Sequence, residues 1–331
     1  MAGLTFVDVC SGAGGLALGL EQAGFAPRLL LDDDEVAVAT LRTNRPRWNV
    51  LRSDLLDFDP AEHPESHDVD LLAAGLPRVR STATAGRVDS GLEERLLKAT
   101  VYLVHAIRPR AVLIENVPEL THSDSHEAFR EFARIELDHL GYAFRWFVVD
   151  AVDFGVPQNR KHGVLVAVRR QWAEAFRPPV PTSREPMTVG AALGPSMAAR
   201  GWADATRWAD QADQPAPTLV GGSKNRGGAD LGPTRTKKKW ATMGVNAHTV
   251  GDRVPGSDFV WDPELGRENM VKLTVEQAAL LQGFPATWQI SGLKTARYRQ
   301  VGHATPPPVG KALGLAVAEA LHSGSTIFAA G

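Results

Sequence analysis

The first 180 residues alternate short apolar runs with segments whose apolar positions recur at helical spacing. This is the pattern of an α/β domain built on a mainly parallel sheet. LTFVDV predicts a first strand, followed by a helix over residues 16–23. RLLLD (28–32) predicts a second strand, with a helix over 35–42. DLLAAG (70–75) predicts a third strand, and a longer helix over 92–107 leads into AVLIEN (111–116), the clearest buried strand. HEAFREFARIELDHLGY predicts an amphipathic helix stopped by Gly141. RWFVVDA and HGVLVAV then predict an antiparallel pair, with DFGVPQNRK between them.

From Pro178 the pattern changes. RPPVPTSREP reads as a proline-rich connection. Residues 187–265 are rich in Gly, Trp, Thr and charge with weak periodicity, which predicts a small, loop-rich module. Helical spacing returns at LTVEQAALLQGFP, and PPPVGKALGLAVAEALHSG predicts a closing apolar helix that needs a partner surface. The simplest partner is the first domain. The expected architecture is therefore a doubly wound, Rossmann-like α/β domain over 1–182 and 300–331, with a smaller module over 183–299.

Composition narrows the function classes. With 44% apolar and 22% charged residues in 331, the chain has the mixture of a soluble globular protein, not of a disordered or fibrous one. A run of about 18 apolar residues is missing, so no membrane span is expected. The immediate strand-like start leaves no room for a signal peptide, and a cytoplasmic location is the expectation. A single cysteine, Cys10, excludes an intrachain disulfide and a multi-cysteine zinc site. His63 and His67 bracket a proline and acids in a loop, and no metal site is expected there.

The net charge of -2 argues against blanket attraction to nucleic acid. The positive charge is local: Lys224, Arg226, Arg235, Lys237, Lys238 and Lys239 face one acid, Asp230, in a single segment. Glycines, Thr234, Thr236 and Trp240 interleave them. Hydroxyl and main-chain donors beside Lys and Arg suit phosphate contacts, so duplex DNA is the expected partner of this segment. Trp202, Trp208, Trp261 and Trp288 are expected to pack the small module.

The run from Asp8 through Ala17, DVCSGAGGLA, places Gly12 and Gly14 between a strand and a helix that begins at Leu16. Glycines there admit close approach of a ligand to the backbone, and the helix start offers free N–H groups. Asp32, ending the second strand, stands where an acid accepts hydrogen bonds from ribose hydroxyls. Asp54 stands at a further strand end. The loop also fits G-x-G-x-x-A, so by itself it leaves a nicotinamide dinucleotide and S-adenosylmethionine both open.

Seven motifs in order resemble those of the DNA (cytosine-5) methyltransferases: DVCSGAGGLALGLEQAGF; LLLD with TLRTNRP; SDL; RPRAVLIENVP; DFGVPQNR; LTVEQAALLQGFP; and RQVGHATPPPV. They run from Asp8 to Val309. The resemblance implies a methyltransferase domain, a target-recognition domain over 183–299, S-adenosylmethionine as cofactor and double-stranded DNA as partner. It places Asp8, Cys10, Gly12, Gly14, Gly15, Leu16, Asp32, Asp54 and Pro77 at the cofactor. Glu115 matches the glutamate that assists at the ring nitrogen, and Arg160 the first arginine of the Gln-x-Arg-x-Arg motif.

The family adds a cysteine thiolate to C6 of a flipped cytosine, which activates C5 towards the methyl group. Here the family's Gly-Pro-Pro-Cys string is matched by Gly75-Leu76-Pro77-Arg78, so Arg78 replaces the nucleophile. A guanidinium stays protonated and is no nucleophile. The second arginine becomes His162 and the usual asparagine of the last motif becomes His303; both are expected to be structural or solvent-facing. The expectation is a DNA-binding homologue that does not perform ordinary C5 methylation. It would serve as a regulatory or recognition subunit beside an active methyltransferase or restriction partner, associated with the nucleoid. The alternative is an active S-adenosylmethionine-dependent enzyme using another acceptor or a partner chain. A nicotinamide oxidoreductase and a pure scaffold with closed pockets are the remaining alternatives.

Overall fold

The computed structural model describes residues 3–79, 91–222 and 228–327. The chain divides into two compact units. The first comprises Met1–Val149, Lys161–Val180 and Val309–Gly331; the second comprises Asp150–Arg160 and Pro181–Pro308.

In the first unit the chain runs β1 (Thr5–Val9), α1 (Gly15–Gln22), β2 (Ala26–Asp32), α2 (Glu35–Asn44) and β3 (Val50–Arg52). It continues with β4 (Leu71–Gly75), α3 (Leu92–Ile107), β5 (Ala111–Asn116), α4 (Glu127–His139) and β6 (Tyr142–Asp150). After β7 (Gln158–Asn159), which belongs to the second unit, β8 (Lys161–Arg169) returns to the first. The strand order is β3-β2-β1-β4-β5-β8-β6. Strands β1 to β5 pair in parallel, and β8 runs antiparallel to β5. The chain order reverses between β1 and β4, which opens a crevice beyond the carboxyl ends of the strands.

The continuous apolar runs reflect burial on both faces of this sheet. Phe6, Val7, Leu30, Leu72, Val112 and Leu113 are all inaccessible. Strands covered on both sides lose the in–out alternation of an exposed sheet. Helix α2 starts where Asp34 accepts the Val36 N–H at 3.0 Å, which satisfies one of the donors that a helix start leaves unpaired.

The second unit contains α5 (Val189–Ala198), α6 (Ala205–Gln211), β9 (Ala216–Pro217), α7 (Thr234–Thr242), α8 (Val275–Leu281) and α9 (Lys294–His303). Helices α5, α6 and α7 were not foreshadowed by periodicity, because none exceeds 10 residues and their contact positions hold Gly and Trp. Gly190 of α5 backs directly onto the Ala209 carbonyl of α6. Trp202, Trp208, Trp240, Trp261 and Trp288 are buried. Helix α8 carries a full capping box between Thr274 and Gln277, the signature of a strong helix start.

Helix α10 (Pro307–Ile327) brings the chain back to the first unit. A Cβ on Gly310 would stand 3.0 Å from the Leu16 carbonyl oxygen, and one on Gly314 would stand 2.8 Å from the Ala23 Cβ. The two glycines let α10 lie against α1, the partner surface that its apolar pattern required. No described helix is long and apolar enough to cross a membrane.

Candidate functional site

The glycine loop follows β1 at the crevice. Cys10, Gly12 and Gly14 all have positive φ, at 54°, 53° and 82°. Gly14 N-caps α1 without a side-chain cap. A Cβ at Gly12 would meet nothing within 4 Å, so the turn needs glycine for its backbone conformation and leaves space beside it. Asp32 ties this loop to β2: its Oδ2 accepts the Gly12 N–H at 2.8 Å and its Oδ1 the Asp34 N–H at 2.9 Å. Asp54, in the exposed turn after β3, accepts the Leu56 N–H at 2.9 Å.

Asp8 is the exceptional group. It is fully buried, and neither carboxylate oxygen has a hydrogen-bond partner among the described residues. Burial pushes its carboxyl up to about 8, against the neighbouring Ser11 hydroxyl and with the help of the Asp32 charge. Burial likewise raises Asp32 to about 6. An unmet buried acceptor calls for a donor or a cation. The open space beside Gly12 and the N–H groups at the start of α1 would admit a ligand there, so the residues present fit S-adenosylmethionine.

Cys10 lies within the same loop. Burial and the charges of Asp32, Asp8, Asp33 and Asp54 hold its thiol well above the ordinary range. A thiol surrounded by acids is a poor nucleophile because the thiolate is the reactive form.

Arg78, which the motif resemblance sets against the family's cysteine, lies just beyond β4. Gly75 pairs with Glu115 of β5, so the Leu76–Val79 stretch emerges beside the end of β5. Asn116 clamps that stretch. Its Nδ2 donates to the Leu76 and Pro77 carbonyls at 3.4 and 3.1 Å, and its Oδ1 accepts the Val79 N–H at 3.1 Å. The partly buried Arg78 therefore stands in a braced turn. The string that follows it, residues 80–90, lies outside the described residues.

Glu115 and His162 form a buried pair. Glu115 Oε1 lies 2.6 Å from His162 Nδ1, with the two side chains 7% and 0% exposed. The register explains the meeting: β5 and β8 are antiparallel, with Asn116 opposite Gly163, which places Glu115 and His162 at adjoining ends. His162 is thus buried against Glu115 and does not face solvent. Two residues were missed as site-builders: His162 as that partner, and Asn116 as the brace. The Glu-Asn pair ending a buried strand was the available signal.

Arg160 belongs to the second unit. Its Nη1 donates to the carbonyls of Leu219 and Gly302 at 2.8 and 2.9 Å. Gln158 works beside it: Oε1 accepts the Leu219 N–H at 2.8 Å and Nε2 donates to Gln282 Oε1 at 2.6 Å. His303, exposed at the end of α9, places Nε2 3.1 Å from the Gly222 carbonyl.

Of the basic segment, Lys224 and Arg226 lie outside the described residues. Arg235, Lys237, Lys238 and Lys239 lie on α7. Lys237 pairs with Asp230 at 2.7 Å, whereas Arg235, Lys238 and Lys239 are exposed and Trp240 is buried.

Comparison with known proteins places this geometry in context. Residues 4–319 match the C-5 cytosine-specific DNA methylase family. The chain is 42% identical over 325 residues to the type II methyltransferase M.NaeI of Lentzea aerocolonigenes, covering 97% of this chain and 76% of that protein. It is 35% identical over 326 residues to M.NgoMIV of Neisseria gonorrhoeae, covering 96% and 98%. Among solved structures, Spodoptera frugiperda DNMT2 superposes with a TM-score of 0.64 at 15% identity, covering 95% of this chain and 99% of that one. Entamoeba histolytica EhMeth superposes with a TM-score of 0.66 at 14% identity, covering 97% and 99%. These two share the Rossmann-like methyltransferase fold seen here. The family match, spanning both units, identifies the chain as a member of the C-5 cytosine-specific DNA methylase family, whose cofactor is S-adenosylmethionine.

Proposed function

We propose that this protein is a DNA-binding member of the family that does not carry out ordinary C5 methylation, acting as a recognition or regulatory subunit beside an active methyltransferase or restriction partner. One feature carries the reading: the motif resemblance sets Arg78 against the family's cysteine, and the only thiol of the sequence, Cys10, is in the glycine loop and held protonated. Without a thiolate at C6, C5 of cytosine stays a weak nucleophile. Glu115 and Arg160 are read as retained family residues without turnover.

In this reading the first unit holds the cofactor. The Gly12–Gly15 backbone, Asp8 and Asp32 would receive it, with Cys10, Leu16, Asp54 and Pro77 around them. Bound there, S-adenosylmethionine supplies an electrophilic methyl group. The second unit faces duplex DNA with Arg235, Lys238 and Lys239. Such contacts release counterions, so affinity falls steeply with salt. A nucleoid-associated place in the cytoplasm follows from the same contacts.

The open glycine loop supports a second reading, cofactor-dependent transfer to an acceptor that needs no thiolate adduct. One experiment covers both. The purified chain is mixed with radiolabelled S-adenosylmethionine and assorted duplexes, some bearing 5-fluorocytosine, followed by base digestion. The expected result is duplex binding at low salt with neither adduct nor 5-methylcytosine. A fluorocytosine adduct or 5-methylcytosine overturns the first reading, label on another base establishes the second, and absence of DNA binding at low salt removes the recognition role.

A further inference from the structure

The turn Thr218–Gly222 of the second unit is held by its backbone at successive positions. The Leu219 N–H is bound by Gln158 and the Leu219 carbonyl by Arg160. The same Arg160 nitrogen holds the Gly302 carbonyl of α9, so one guanidinium joins the turn to the helix. Gly221 and Gly302 then meet backbone to backbone. A Cβ on Gly221 would stand 2.6 Å from the Arg299 carbonyl oxygen and 2.6 Å from the His303 ring. Only glycine at both positions permits this approach.

His303 closes the arrangement. Its Nε2 lies 3.1 Å from the Gly222 carbonyl, the last described residue before the sequence Ser-Lys-Asn-Arg. A carbonyl oxygen only accepts, so Nε2 carries the proton and donates. Unlike the buried bonds of Gln158 and Arg160, this one reaches the turn from the solvent side. Gly222 has φ of +70°, a conformation reached at little cost by glycine, so its carbonyl direction depends on what holds it.

We propose that His303 is a specificity-determining positioning residue: by fixing the Gly221–Gly222 backbone against α9, it sets which DNA sequence the second unit prefers, independently of phosphate affinity. The proposal rests on the DNA-binding reading above. Base contacts specify whereas phosphate contacts position, so a residue that orients a recognition turn alters sequence preference and leaves the salt dependence alone.

The test uses the full chain and a duplex library with a randomised core, selected by retention at low salt, for wild type, His303→Ala and His303→Gln. Hydrogen exchange at the Gly221 and Gly222 amides is measured on the same proteins. His303→Ala is expected to lower enrichment of the preferred sequence by about three- to tenfold, the worth of one exposed hydrogen bond. The slope of log affinity against log salt stays unchanged and the two amides exchange faster. His303→Gln, which returns an N–H donor, recovers part of the enrichment. Unchanged enrichment in His303→Ala overturns the proposal while leaving DNA binding intact. A uniform loss of affinity with a shallower salt slope also overturns it, by making His303 a phosphate contact. Failure of the wild type to retain any duplex overturns the DNA-binding reading itself.

Discussion

Glu115 and His162 lie 2.6 Å apart, Oε1 to Nδ1, with both side chains buried at adjoining ends of β5 and β8. The Glu115 side chain is thus engaged by an imidazole from the neighbouring strand. Removing the imidazole leaves a buried acid without this partner, and breaking such a pair costs several kcal/mol. His162→Ala is therefore expected to lower the free energy of unfolding by about 3 kcal/mol, and His162→Gln by less, because it keeps a donor. Urea titration of both variants checks this; a loss in His162→Ala below about 0.5 kcal/mol would show that the pair contributes little.

Asp8 and Asp32 make stability depend on pH. Burial raises their carboxyls to about 8 and about 6 from an ordinary value of 3.8. Between the unfolded and folded values the folded chain binds more protons, so the unfolding free energy falls as pH rises. The decline is expected to begin near pH 4 and to end near pH 8. Asp8→Asn should flatten it between about 6 and 8 and leave the lower part, where Asp32 titrates. Denaturant midpoints across this range test the assignment; an unaltered profile in Asp8→Asn refutes it.

Cys10 should behave as an inert thiol. Its proton is held by burial and by the charges of Asp32, Asp8, Asp33 and Asp54. Reaction with an aromatic disulfide at pH 8 is expected to be about tenfold slower than that of free cysteine, or slower still. Asp32→Asn removes one of those charges and should quicken it. A rate matching free cysteine in the native chain would mean that the thiol is not shielded.

Asn116 should control the turn that carries Arg78. Asn116→Ala strips the partners from the Val79 N–H and from the Leu76 and Pro77 carbonyls. The expected cost is about 1–3 kcal/mol, with faster amide exchange at Val79. Asn116→Asp keeps the acceptor and loses the donors, so protection at Val79 should survive in that variant alone. Equal exchange in both variants would show that the brace acts elsewhere.

Much of the first unit was legible along the chain. Buried strands such as β5 are continuous apolar runs, and α3 and α4 carry enough turns for their spacing to accumulate. The glycine loop was legible because its glycines lie between a strand and a helix. Helices α5, α6 and α7 were not, since each is short and packs through glycine or tryptophan, which leave no repeating stripe. The pairing of Glu115 with His162 was hidden for another reason: 47 residues separate them, and only the antiparallel register of β8 brings them together.

By itself, the order of residues determined the doubly wound fold and the family, because each depends on local pattern or on residue identity. Tertiary structure alone decided that the Asp8 carboxylate oxygens are buried without a hydrogen-bond partner among the described residues, that Asn116 braces the turn of Arg78, and that Arg160 and His303 hold the Leu219–Gly222 backbone. These are statements about solvent exclusion and about contacts between residues far apart in the chain. Neither quantity exists until the chain has folded.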